Sequence, residues 1–297
     1  MRRIIPTIIV SIASIFCLAS VLPAQQPQAK FTLTPVAGQI YMLQGDGGNI
    51  GVLADPGGVL MIDSMYQRSA PSIREAIKSL PGGDRVRFLI NTHWHSDHTE
   101  GNLAFGPGAI IIAHENVRAL LAKPQALLGQ QSIAYPAGAL PSVTYSNTMT
   151  LYVENEPVRL AHYPNAHSNG DTVVFFDKSK VMHTGDLFFQ GMFPFMDVDN
   201  GGNIENWIRQ LDAIVSSVPA DIKIIPGHGP LSGIADLKAF RQMLFDSADI
   251  VRKQIKEGKT MEQIKAAGLP ERFAPWTKGF FTTPQWLELV HRSLEKK

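Results

Sequence analysis

Cysteine is nearly absent: the one thiol in 297 residues is Cys17, inside the N-terminal apolar run. Whatever chain remains once that run is removed can use no disulfide scaffold, cysteine-rich zinc module, thiol nucleophile or thiol redox chemistry. An excess of charge of either sign is missing too, with 27 Lys plus Arg against 26 Asp plus Glu. A protein that holds nucleic acid needs a cationic footprint, so this balance disfavours a dedicated nucleic-acid binder. After residue 21 no apolar run approaches the ~18 residues of a membrane helix. Low-complexity tracts and internal repeats are lacking as well. Ordinary core material is plentiful, with 44% hydrophobic and 18% charged residues, which argues against wholesale disorder and for one large domain or two small ones.

The opening MRRIIPTIIVSIASIFCLASVLPAQQPQAK places Arg2 and Arg3 before an apolar run to Val21 and a short Pro/Ala/Gln stretch, the layout of a secretory signal peptide. Residues 1–24 are expected to be cleaved after Ala24, although Leu22 is larger than the pattern prefers; an uncleaved anchor is the alternative. The bulky Phe16 before Cys17 disfavours a lipid anchor. The expectation is a periplasmic or secreted protein with no stable membrane association after cleavage.

From residue 31 to 63 strand-like and turn-like text alternates: QIYML, GDGGN, IGVLA, DPGG, VLMID. This predicts a β-meander with Gly/Asn/Asp turns. A helix is expected over 69–80, closed by Pro81-Gly82-Gly83, then the strand RVRFLINT, the strand AIIIAH and a helix starting near Glu115. A Pro/Gly/Ser-rich loop over about 124–147 precedes the strand texts MTLYVE, VRLAHY, DTVVFF and KVMHTGD, a helix over 203–218, and the buried strand DIKIIPGH. Strands alternating with helices indicate an α/β protein, and the meander and hairpins indicate mixed sheets. Beyond Gly233 the pattern is helical, with a capping box at Thr260 and Gln263 and a last helix capped by Thr283 with Pro284 at its first position. The expected organisation is a catalytic domain over 25–235 and a helical extension over 236–297 packed on it.

The chemistry concentrates in Asn91-Thr92-His93-Trp94-His95-Ser96-Asp97-His98, where three of nine histidines fall within six residues. This spacing does not stack ligands on a helix, which needs i and i+4; it fits a loop leaving a strand end. His167, Asp186 and His228 each follow an apolar stretch beside Gly, Asn or Ser. Sites gather beyond the carboxyl ends of strands in open α/β sheets, so these strand ends could deliver seven donors to one crevice. That number suits two metals with three protein ligands each and one shared carboxylate, and imidazole with carboxylate suits Zn²⁺.

The motifs HxHxDH, AHSNGD, TGD and PGHGP, in this order over most of the chain, resemble the metallo-β-lactamase-fold hydrolase superfamily. The resemblance implies an αβ/βα four-layer sandwich of two mixed β-sheets with two zinc ions per chain. It implies that His93, His95 and His167 hold the first zinc, that Asp97, His98 and His228 hold the second, and that Asp186 bridges as in the glyoxalase II-like branch. Asp63 is similar to a family aspartate that supports the metal loop. Such a centre holds a hydroxide that attacks an amide, ester, thioester or β-lactam carbonyl of a small molecule, with Asp97 both ligand and acid/base. Glu100 departs from the usual His-Thr-Gly-Gly-Asn continuation, and Phe189 and Gln190 stand where many β-lactamases of the family carry a lysine.

Around this centre several residues have two readings. Asn200 and Asn203 are candidate oxyanion or substrate contacts, or else a turn and a helix cap. His114 and His183 end apolar strands and either orient the ligands or are hydrogen-bonded core residues. His162 matches no ligand motif, and His291 is expected at the surface of the last helix. Trp94, Phe188, Phe189, Met192, Phe193, Phe195 and Met196 form either a hydrophobic substrate wall or ordinary core. The 124–147 loop, with Leu127, Leu128, Ile133 and Tyr135, is a candidate lid. An iron-dependent sulfur dioxygenase-type enzyme and a non-catalytic metal-binding protein remain the alternatives to a zinc hydrolase.

Overall fold

Most of the central strands are apolar on both faces, which requires each sheet to be covered twice. The computed structural model describes residues 30–296, so the signal segment and its cleavage point lie outside the described residues. β1 (Thr32–Ala37), β2 (Ile40–Gln44), β3 (Ile50–Leu53) and β4 (Val59–Ile62) form the antiparallel meander. α1 (Ala70–Ile77) crosses to β5 (Val86–Asn91), parallel to β4. The one-turn helices α2 (Ser96–Thr99) and α3 (Asn102–Phe105) lead to β6 (Ile110–His114), parallel to β5, and then to α4 (Glu115–Leu121). The stretch read as a loop over 124–147 instead contains a separate hairpin, β7 (Gln125–Leu127) and β8 (Gln130–Ser132), and the edge strand β9 (Val143–Tyr145) that completes the seven-stranded first sheet.

The second sheet takes β10 (Thr148–Val153), β11 (Glu156–His162), β12 (Thr172–Phe176) and β13 (Val181–His183), then, after α5 (Ile204–Ser217), β14 (Lys223–Ile225) and β15 (Ser232–Gly233). It is mixed, with β13 and β14 parallel and the other pairs antiparallel. α6 (Ile234–Lys256), α7 (Met261–Ala267) and α8 (Thr283–Glu295) follow.

Period-2 alternation sorts the side chains into layers. Leu60, Ile62, Ile90 and Ile112 of the first sheet meet Val158, Leu160, Val174, Phe176 and Ile225 of the second in one buried cluster. Their neighbours Val59, Met61, Leu89 and Ile111 face the other way, onto Ile73 and Ile77 of α1. Val173, Phe175, Met182 and Ile224 face α5, α6 and α8 through Trp207, Leu211, Phe240, Leu244 and Trp286. The architecture is thus an αβ/βα sandwich of two mixed sheets. Helices of the C-terminal region share this last core, and that explains a difference from expectation: His291 is only 8% exposed, because α8 also buries Trp286, Leu287, Val290 and Ser293. The α8 cap is Thr282, one residue before the predicted Thr283, with its backbone N–H bonded to Gln285 Oε1 at 2.9 Å.

The parallel pairing β4/β5 sets Ile62 beside Ile90, and β13/β14 sets His183 beside Ile225. The turns after these four strands therefore open at the same end of the sandwich, at the edge where the sheets meet.

Candidate metal centre

Each strand end turns sharply and points a donor inward. β5 leads to His93 and to His95, the N-terminal flank of α2, whose single turn carries Asp97 and His98. The turn after β11 brings His167, that after β13 brings Asp186 and that after β14 brings His228. His93, His95, His167 and Asp186 each offer an atom within 4.8 Å of the others, and so do Asp97, His98 and His228. Asp186 stands between the groups: Oδ2 lies 3.6 and 3.5 Å from Nε2 of His93 and His167, and Oδ1 3.1 and 3.5 Å from Nε2 of His98 and His228.

The outer nitrogens determine which inner nitrogens carry free lone pairs. Thr92 Oγ1 donates to Asp63 Oδ2 at 2.7 Å and so accepts from His93 Nδ1 at 3.1 Å, leaving His93 Nε2 unprotonated. His95 Nε2 donates to Asp197 Oδ2 at 3.1 Å, and His167 Nδ1 to the Phe195 carbonyl at 3.0 Å. His95 Nδ1 then faces Nε2 of His93 at 3.0 Å and Nε2 of His167 at 3.1 Å with no proton between them. Three lone pairs at that separation repel unless a cation sits among them, and edges of about 3.3 Å are what four-coordinate zinc with imidazole bonds near 2.0 Å requires. His98 Nδ1 donates to Asp63 Oδ2 at 2.8 Å, which turns Nε2 toward the centre, 3.3 Å from His228 Nε2. Asp186 Oδ1 is buried beside Nε2 of His98 and His228 without a well-aligned hydrogen bond to either. The donor set therefore fits two metal ions.

Electrostatics point the same way. Burial disfavours a charged His98, yet Asp186, Asp97 and Asp63 push it well above the usual imidazole range. Burial likewise opposes charge on His228, and Asp186 and Asp97 raise it to about 9. Asp97 would be raised by burial but is brought to about 2 by His98 and a hydrogen bond from His228. The acidic groups here demand positive charge. Within 4.0 Å, among the described residues, Asp63, Asp97, Asp186 and Asp197 pair only with histidines, never with Lys or Arg.

Asp63 bonds Thr92 N at 2.7 Å as well as His98, so it ties β5 to α2. His183 donates through Nε2 to Asn49 O at 3.0 Å and accepts from Gly185 N at 3.1 Å, which braces the turn before Asp186. His114 does not reach the centre: it accepts Asn116 N at the start of α4, donates to Ser146 O, and stacks on His162 at 3.6 Å. Both asparagines named as candidate oxyanion donors also hold the loop and the helix start. Asn203 caps α5 by accepting Asn206 N at 2.9 Å, and Asn200 donates to Asp197 Oδ1 at 3.1 Å. Glu100 accepts Gln67 N at 3.1 Å and holds the loop after β4. Trp94, Phe188, Phe189, Phe193 and Met196 are buried core, while Met192 and Phe195 are partly exposed. Tyr135 of the expected lid bonds Thr99 at 3.1 Å, and Leu127 and Tyr135 pack beside Trp94.

Two residues carry weight that sequence reasoning missed. Asp197 Oδ2 accepts from both His95 Nε2 and Trp94 Nε1, the latter at 2.9 Å. Asn49 donates to the carbonyls of Pro226 and Gly229 at 2.9 and 2.8 Å and so clamps the turn bearing His228. Two glycines are required by close approach: a Cβ on Gly48 would lie 2.1 Å from His98 Cε1, and one on Gly227 2.1 Å from Asp186 Oδ1. Replacing Asp197 by alanine leaves two buried donors unpaired and His95 free to rotate. We expect metal affinity to fall about 10–100-fold, read by competition with a chromophoric chelator; unchanged affinity would detach Asp197 from the centre.

The Metallo-beta-lactamase superfamily model matches residues 43–228, from β2 to the last of the seven donors. The chain belongs to that superfamily. It is similar in structure to a metallo-beta-lactamase from Pontibacter korlensis, with a TM-score of 0.59 and 16% identity over 72% of this chain and 99% of that one. It is also similar to the stereoselective inverting sec-alkylsulfatase Pisa1 from Pseudomonas sp., with a TM-score of 0.62 and 14% identity over 89% of this chain and 49% of that one. In sequence it is 26% identical over 176 residues to the 2,4-dinitroanisole O-demethylase subunit alpha of Nocardioides sp. (strain JS1661), covering 57% of this chain. The match spans 50% of that curated relative's length.

Proposed function

We propose that the protein is an exported dinuclear zinc hydrolase that cleaves an amide, ester, thioester or β-lactam carbonyl of a small molecule. The observation that carries this is the set of seven inward donors, each imidazole of the first group held through its other nitrogen so that His95 Nδ1 lies 3.0 and 3.1 Å from Nε2 of His93 and His167. His93, His95 and His167 would hold one zinc, Asp97, His98 and His228 the other, and Asp186 would touch both. Zinc supplies a Lewis acid and a water made acidic enough to serve as nucleophile near neutral pH.

The chain's own groups do the rest. Asp63, Asp197, Thr92 and the Phe195 carbonyl fix the tautomer and direction of the imidazoles before substrate arrives. Asp97 is ionised across the neutral range, and its side chain is 24% exposed while Asp186 is 4% exposed. It can therefore receive a proton from the attacking water and hand it to the leaving group. The Arg2-Arg3 and apolar run of the N-terminal sequence supports export. A panel of chromogenic cephalosporin, thioester, aryl ester, lactone and phosphodiester substrates tests the carbonyl assignment. Turnover of at least one carbonyl substrate, abolished by chelation and restored by Zn²⁺, is expected. Preference for the phosphodiester would overturn it, and iron as the native metal would favour the sulfur dioxygenase-type reading.

A further inference from the structure

An aromatic lip from the C-terminal region stands beside the metal centre, and nothing in the hydrolytic reading uses it. Phe280 is 72% exposed, an unusual position for so large an apolar group. Its ring lies edge-on to His228 at 5.6 Å, and His228 also stacks on Phe189 at 5.0 Å. Next to it, Phe281 stacks on Phe195 at 5.6 Å, and Phe195 lies 5.4 Å from the His95 ring. The lip is tied down on both sides. Phe193 N donates to Trp276 O at 2.7 Å, Gly279 sits so close to Met192 that a Cβ there would come within 2.4 Å, and Thr282 opens α8 immediately afterwards. Phe280 is thus presented to solvent at the edge of the centre by a segment whose neighbours are packed.

We propose that Phe280 is a specificity-determining residue, whose exposed ring forms an apolar subsite beside His228 for an aromatic or long alkyl group of the substrate. This rests on the hydrolase reading. Covering an exposed phenyl ring with an apolar group removes area of both from water, and an aromatic partner adds an edge or offset contact. Short polar substrates gain nothing from it. The nearest basic residue in sequence is Lys278, which is exposed and would instead favour an anionic group.

The test uses the metal-loaded enzyme and two ester series followed by acid release: methyl esters of acids from acetic to octanoic with phenylacetic, and acetates of alcohols from methyl to octyl with benzyl. In at least one series kcat/KM should rise with apolar size. Phe280→Ala should lower it about tenfold for the large members, chiefly through KM, and less than about twofold for methyl acetate; Phe280→Leu should recover most of the alkyl preference. Binding of 4-phenylbutan-1-ol, a neutral probe with no bond to hydrolyse, should weaken about tenfold in Phe280→Ala by calorimetry. Lys278→Ala should change neither readout. Equal losses across all chain lengths, or a preference that disappears in Lys278→Ala and survives in Phe280→Ala, would overturn the proposal. If the unaltered enzyme turns over none of the esters, the hydrolase reading fails for esters while the alcohol titration still decides the subsite.

Discussion

Asp97→Asn is expected to lower turnover about 10²–10⁴-fold while retaining most of the bound metal. The Asp97 carboxylate faces His228 Nε2 at 3.2 Å and His98 Nε2 at 3.6 Å, a position from which an amide oxygen can still coordinate. What the amide cannot do is take up and return a proton. Asp186→Asn should fail differently, because it removes negative charge from between the two donor groups that its oxygens face. Metal content should fall first, and activity should partly recover at high zinc, since mass action refills a weakened site. Turnover and bound metal for both variants across a zinc titration separate the roles. Full rescue of Asp97→Asn by zinc would leave that residue a ligand only, and unchanged metal content in Asp186→Asn would remove Asp186 from direct contact with metal.

Asp63 carries the second large effect, on stability and metal together. It is fully buried and accepts from Thr92 N, Thr92 Oγ1 and His98 Nδ1 at 2.7, 2.7 and 2.8 Å. Asp63→Ala strands all three donors in the interior, and denaturant unfolding should show a loss of about 3–5 kcal/mol. Asp63→Asn should be milder for folding, since φ of 64° at this position suits asparagine and one acceptor oxygen survives. Its amide N–H₂, however, meets His98 Nδ1 and favours the tautomer with the proton on Nε2, the atom that faces the centre. Metal affinity in Asp63→Asn should therefore drop about 10–100-fold with only a modest shift in unfolding midpoint. Parallel losses in both variants, with affinity unaffected, would make Asp63 merely a core residue.

These roles were unequally legible in the sequence. Donors in HxHxDH and at the three later strand ends stand out because coordinating side chains in short turns after apolar runs serve no packing purpose. Asp197 carries no such signal: it is one acid in a loop, and its tie to His95 spans 102 residues. Asn49 reads as part of the GDGGN turn, and its clamp on Pro226 and Gly229 depends on two sheets meeting at one edge. His114 and His183 look alike as strand-ending histidines, yet only the second lies where β13 and β14 run parallel toward the centre. Alternation along strands such as VLMI and TVVFF made their two covered faces visible, whereas their assignment to separate sheets rests on long-range pairing. The short β7 and β8 hairpin is dominated by Gln and small residues rather than β-branched ones, so propensity reads it as loop. His291 reads as a surface residue from its place on the last helix; α8 is covered more widely.

We propose a two-zinc centre that hydrolyses a carbonyl substrate. Its most direct test is elemental analysis of protein purified without added metal, paired with turnover of the best carbonyl substrate during stepwise zinc reconstitution of stripped protein. About two zinc per chain are expected, with activity rising in proportion to filling of the seven-donor centre. Iron as the resident metal, or carbonyl hydrolysis that is indifferent to zinc, would contradict it.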